Sequence, residues 1–139
     1  MIEKSALLAC GVAEAFELFT RQAGAWWPVE RRHTEDAHSE IVIEPGGRFF
    51  ERSRAGVEVV LGVVRVFDRP HRLLLDWYPG TGPYAPTEVE VLFEDTEGGT
   101  RVTVRHGPGR VGKERFDRSA PVFVRSWDLV LDAFAAATA

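Results

Sequence analysis

Apolar residues recur along this chain with two different periods, and the periods divide it into a mixed front, a run of strands and a helical back. Residues 2–9 read as a first strand. Val12, Ala15, Phe16 and Phe19 then repeat at helical spacing, with Glu14 and Glu17 on the other side. That pattern predicts a short amphipathic helix. Residues 22–27 predict a second short helix, stopped by Pro28, whose ring blocks continuation. Residues 29–39 are polar and irregular. Strand signals follow at 40–44, 48–54, 57–67, 72–78, 87–94 and 100–106, joined by turns such as Pro45-Gly46-Gly47, Ala55-Gly56 and Glu97-Gly98-Gly99. Consecutive strands on short turns predict antiparallel hairpins.

Residue parity then assigns faces. Leu73, Leu75 and Trp77 share one face of their strand, as do Val89, Val91 and Phe93, and Val102, Val104 and His106. The opposite parity is largely charged, as in a sheet covered on a single side. The strand at 57–67 is apolar on both parities, so its faces are undetermined, and Gly62 within it predicts a bulge or a sharp bend. The cover is expected at the C-terminus. Ser119 and Pro121 sit where a helix would begin. Phe123, Trp127, Val130, Leu131 and Phe134 line one stripe of it. A helix over 119–137 would be roughly 28 Å long, enough to cross the sheet. The expected architecture is α+β within a single domain over 1–139: a curved antiparallel sheet wrapped around a long C-terminal helix, with two short N-terminal helices.

Composition narrows the function classes. The net charge of −4 gives no basic surface for nucleic acid or anionic membrane, so neither is an expected partner. Cys10 is the single cysteine; it excludes an internal disulfide and reads as a small apolar filler. No basic stretch leads into a long apolar run at the N-terminus, and no segment of about 18 apolar residues exists. The expected compartment is therefore the cytoplasm.

The order of elements and several local motifs resemble the START-like (SRPBCC) superfamily, with its helix-grip (START/Bet v 1-like) fold. Within it, the chain is similar to the bacterial branch named after the activator of Hsp90 ATPase. The stretches that carry this are 13–20 (AEAFELFT), 25–29 (AWWPV), 43–51 (IEPGGRFFE), 62–70 (GVVRVFDRP), Leu75-Asp76-Trp77, 99–106 (GTRVTVRH), and Ser126-Trp127 with Leu131. The resemblance implies a cavity between the concave face of the sheet and the long helix, holding an apolar or aromatic small molecule. Trp77, Val91, Phe93, Val104 and His106 would then line it from strands, with Phe123 and Trp127 from the helix. Phe50, on a strand expected to bend around the pocket, and Trp26 and Trp27, near its mouth, complete the expected ligand-binding set. Core filling is the competing role for each of these side chains. The superfamily also includes cyclases, so a cyclase- or hydrolase-like enzyme using the same pocket is the alternative, and the branch name implies an Hsp90-type chaperone as a second class of partner. The long apolar strand and the hairpin edges leave homodimerisation open.

Candidate chemistry is sparse. His106 ends a strand whose inward partners are valines, so it is the one candidate acid or base; the alternative is a buried imidazole satisfied by hydrogen bonds. Asp76 lies on the charged parity, away from it. Arg48 and Glu51 are expected to form a structural ion pair. The segment 33–38 (HTEDAH) matches no zinc spacing and reads as a solvated loop, so no metal is expected. Residues 107–114 (GPGRVGKE) satisfy G-x-G-x-x-G, but a helix with no strand after it follows, and Glu114 stands where a phosphate loop needs a hydroxyl. No nucleotide or other cofactor is expected. That segment reads as a flexible connection into the helix, or as a lid over the cavity. Arg110, Lys113, Arg115 and Arg118 give the connection a basic rim.

Overall fold

The computed structural model describes all residues, Met1–Ala139. Strand β1 (Ile2–Leu8) leads into helix α1 (Val12–Thr20); strands β2 (Glu40–Ile43), β3 (Arg48–Arg52), β4 (Glu58–Asp68), β5 (Arg72–Trp77), β6 (Thr87–Thr96) and β7 (Gly99–Gly107) follow, and helix α2 (Lys113–Ala137) closes the chain. All seven strands join one antiparallel sheet in the order β1-β7-β6-β5-β4-β3-β2. Only the β1–β7 pairing is long-range, because each later strand pairs with its predecessor through a hairpin. The sheet curls around α2 in the helix-grip arrangement.

Alternation sets the core. The inward residues of β5, β6 and β7 are those that parity assigned, and Leu73, Val89, Val91, Val102 and Val104 are wholly buried. Strand β4 defeats parity for a physical reason. Leu61 is unpaired between Val60, opposite Phe50, and Gly62, opposite Phe49; Arg65 is skipped in the register with β5. Each extra residue flips the faces and adds bend, which curls the sheet. Gly62 allows the close approach this needs, since a Cβ there would sit 2.0 Å from the Asp76 carbonyl oxygen.

Two expectations about helices are corrected. The front holds one α-helix, not two; residues Ala23–Ala25 and Val29–Arg31 are single 3-10 turns. The C-terminal helix starts at Lys113, six residues before Ser119, with Pro121 inside it. Pro121 removes one backbone donor, the bond it would make to the carbonyl of residue 117. The turn before it persists because Phe116 lies on the apolar stripe, with its ring 5.8 Å from Phe123 and 5.5 Å from His106. Aromatic pairs of this kind contribute about 0.5–1.5 kcal/mol each beyond area burial.

The outer face carries ion pairs. Asp76 binds Arg65 and Arg110, and Arg72 binds Glu90. The expected Arg48–Glu51 pair does not form. Arg48 instead meets Glu44 and Glu58, while Glu51 turns to the opposite side of β3 and is fully buried. Phe50 shares the outward parity of Arg48 and Arg52. Their guanidinium carbons sit 4.1 and 5.1 Å from its ring centroid, and this cover, not the core, buries it. The placement of Phe50 as a pocket residue is therefore wrong; its neighbour Phe49 takes that position.

No helix is long and apolar enough to cross a membrane.

Candidate functional site

A cavity of about 190 Å³ lies between the sheet and α2. Its floor is aromatic: Phe49 from β3 and Trp77 at the end of β5 stack with centroids 5.1 Å apart, and Trp127 of α2 lies 5.1 Å from Trp77. Trp27 and Leu61 complete the inner end. At the mouth stand Val122 and Ser126 of α2, the loop residues Pro79 and Gly80, and Arg31 with His33, while Val130 of α2 lines it from the buried side. A larger groove of about 740 Å³ runs outside the fold along β2, but its walls include Arg21, His38, Glu40 and Glu44. That polar, open surface does not suit an apolar ligand.

The structure divides the residues expected at the pocket. Trp27, Trp77, Phe123 and Trp127 line the cavity. Val91, Phe93 and Val104 lie below it as solid core, at 0–1% exposure. Trp26 stacks on Phe134 and donates its indole N–H to the Leu18 carbonyl, 2.9 Å away. It seals the inner end of the core. Parity identifies inward residues, but it does not distinguish those that meet packing atoms from those that meet a void. Leu61, Val122, Ser126 and Arg31 escaped the sequence reading because a bulge, a helix shoulder and a 3-10 turn place them, whereas Val130 lies on the stripe already assigned to the helix.

His106 is wholly buried behind this wall. Its Nδ1 accepts the Trp127 indole N–H at 3.0 Å. The remaining ring proton therefore belongs on Nε2, which donates to the Thr87 hydroxyl at 2.8 Å. That hydroxyl donates in turn to the Trp77 carbonyl, 3.4 Å away. Burial, with a smaller push from the N-terminal amino group, lowers the imidazole pKa to about 3. His106 is thus neutral near pH 7 with both nitrogens occupied. It is no general base; it fixes Trp127 and, through Thr87, Trp77, two walls of the cavity.

Glu51 does the same for the mouth. It accepts the backbone N–H of His33 at 2.7 Å and of Thr34 at 2.8 Å, together with the Thr34 hydroxyl. Burial pushes this carboxyl up, but the His33 and Thr34 donors, with Ser39, outweigh it and hold the pKa below the ordinary value. Asp36 is used similarly: the amides of Arg54 and His38 and the Arg54 guanidinium hold its pKa at about 2. Within segment 33–38, Asp36 thus acts as a loop anchor. Cys10 packs against the core, and burial followed by Glu14 raises its thiol pKa, which opposes thiolate chemistry.

The loop at the mouth is that at 79–80; residues 107–112 do not touch the cavity. Gly80 adopts φ +91°, and a Cβ there would lie 2.9 Å from Phe123 Cε1. Gly80→Ala is expected to cost about 1–2 kcal/mol in denaturant unfolding, from backbone strain plus displacement of the Phe123 wall.

The family profile described as "Activator of Hsp90 ATPase homolog 1-like protein" matches residues 9–139. The chain belongs to the activator of Hsp90 ATPase homolog 1-like family. Comparison with curated proteins returned no match. Among solved structures, this family member is 30% identical to Txn09, an anthrahydroquino-gamma-pyrone synthase complexed with SUM, with 97% of this chain and 94% of that one covered and a TM-score of 0.65. It is 27% identical to CalC from Micromonospora echinospora, a self-sacrificing resistance protein, over 99% and 92% of the two chains at a TM-score of 0.72. Protein NE0264 from Nitrosomonas europaea, at 14% identity, covers 97% and 91% at a TM-score of 0.71, which shows the shared fold. Membership of the activator of Hsp90 ATPase homolog 1-like family, with the similarity to Txn09 and CalC, supports hydrophobic ligand binding in a general sense.

Proposed function

We propose that this protein binds an aromatic small molecule between the sheet and α2, to carry, sequester or sense it. The supporting observation is the cavity itself: a largely apolar void with aromatic walls, one of which, Trp127, is fixed by its indole hydrogen bond to His106. Its volume of about 190 Å³ exceeds an engineered apolar cavity of about 150 Å³ that takes benzene. One ring would fit inside, with the rest of the ligand in the mouth.

Calorimetric titration with neutral 2-naphthamide tests this. One saturable site with a Kd below about 1 mM is expected. Ser126→Phe puts a ring into the mouth without crowding the inner core, and it is expected to weaken binding at least about tenfold. Non-saturating heats, or a Ser126→Phe variant that binds like the parent, would refute the proposal. Native mass spectrometry of freshly purified protein would in addition carry any retained ligand as an excess mass that denaturation removes.

A second reading, cyclase-like catalysis in the same pocket, has support from the similarity to Txn09. On this reading the acid or base is not His106, whose nitrogens are both engaged. His33 at the mouth is the imidazole on the lining, and loss of turnover with retained binding in His33→Ala would be the expected signature. Support for a chaperone partner is confined to the family's description.

A further inference from the structure

The cavity has one charge in its lining. Arg31 contributes a guanidinium, and no aspartate or glutamate is among the thirteen lining residues. Arg31 forms no ion pair, although most arginines of the sheet's outer face do. Its Nη1 meets only the Glu30 carbonyl, at 3.3 Å, and its Nε is buried with no hydrogen-bond partner. The adjacent arginine differs. Arg32 spends Nη1 on the Ser39 carbonyl and hydroxyl and Nη2 on the Gly24 and Trp27 carbonyls, which closes the loop, although its Nε is also unpartnered. One arginine of the pair is thus structural, and the other has donors to spare.

The backbone beneath Arg31 is held in place. The Trp27 indole N–H donates to the Arg31 carbonyl at 3.4 Å, and Glu51 grips the two residues after Arg32. Glu51 spends its oxygens on the His33 and Thr34 donors and makes no hydrogen bond to Arg31. A partly buried guanidinium without a counter-charge is costly, and it favours a ligand oxyanion there.

We infer that the cavity selects aromatic acids, with the ring against Trp27, Phe49, Trp77 and Trp127 and a carboxylate or other ionised oxygen at the mouth on Arg31. This rests on the aromatic-binding function proposed above. It sets the ligand class: amphipathic and anionic, entering ring first.

The test compares 2-naphthoate with isosteric, neutral 2-naphthamide by calorimetry near pH 7.5. The acid is expected to bind about tenfold more tightly, the gain of one charge-assisted hydrogen-bonding group. Arg31→Met should erase that preference, so that acid and amide bind this variant with Kd values within about twofold of each other. Arg31→Lys should retain part of it, and Arg101→Gln, on the outer face, all of it. In the parent protein the preference should also shrink between about 0.02 M and about 0.5 M salt, which needs no variant. Equal binding of acid and amide, or a preference that survives Arg31→Met, overturns the inference and leaves the aromatic pocket standing. Failure of both probes to bind overturns the two together.

Discussion

Glu51→Ala is expected to lower the unfolding free energy by about 3–5 kcal/mol, the largest effect of any single substitution at this site. The carboxylate is wholly buried and accepts three donors from His33 and Thr34. Truncation leaves those donors facing apolar surroundings, at about 1–3 kcal/mol for each one that water does not reach. Glu51→Gln should cost less, about 2 kcal/mol, since its amide oxygen still serves one donor while its NH2 opposes another. Urea unfolding measures both. The damage is also local: hydrogen exchange at the His33 and Thr34 amides should accelerate, and 2-naphthamide affinity should fall as the mouth loosens. Because the Glu51 carboxyl is held below its ordinary pKa, its contribution is fully present above about pH 4.5 and is lost as pH drops through the folded-state value. A Glu51→Ala protein as stable as the parent would show that water already satisfies these amides.

His106→Leu is expected to cost about 2–4 kcal/mol at pH 7.5, because the Trp127 N–H and the Thr87 hydroxyl both lose a buried partner. The pH dependence gives a sharper test. The folded-state pKa is about 3, against an ordinary value of 6.5. Between those limits the unfolded chain binds a proton that the folded chain refuses. Stability therefore rises with pH through this window and falls on acidification, by at most about 1.4 kcal/mol per pH unit. Glu51 and the other carboxylates add their own losses only toward its acid end, so pH 6.5 to 5 isolates the imidazole. His33, His38 and His71 are exposed and present in both proteins, so they cancel in the comparison. The parent's urea midpoint should drop across that interval, and the His106→Leu midpoint should stay flatter. Parallel profiles would mean that His106 is as free to protonate as an exposed histidine.

The sheet was legible where alternation runs unbroken. Leu73, Leu75 and Trp77, and their counterparts on β6 and β7, turn inward as their parity requires. On β4 two extra residues interrupt the pleat, and no rule of two survives a bulge. The start of α2 was misplaced because Pro121 is a strong local signal, whereas the packing of Phe116 on His106 and Phe123 is tertiary. The cavity's aromatic floor followed from the inward parity of Trp77 and the helical stripe of Trp127. Its mouth did not, since Arg31, Pro79 and Gly80 arrive on segments without a period. Glu51 offered a signal that went unread: two residues beyond Phe49, it shares Phe49's face. Its partners are backbone amides, which every sequence contains and none advertises.

One aromatic file joins the interior to the cavity. Trp26 and Trp27 lie 5.5 Å apart; Trp27 then reaches Phe49 at 6.3 Å, Phe49 reaches Trp77, and Trp77 reaches Trp127. These four tryptophans are all the chain has, and all are buried. At such separations their excited states are coupled, so intrinsic fluorescence and near-ultraviolet dichroism respond to the file as a whole. A ligand entering beside Trp77 would alter the emission of the entire protein without any label. By the same coupling, loosening of the cavity walls and collapse of the core would share one optical signature, and only site-resolved probes would tell them apart.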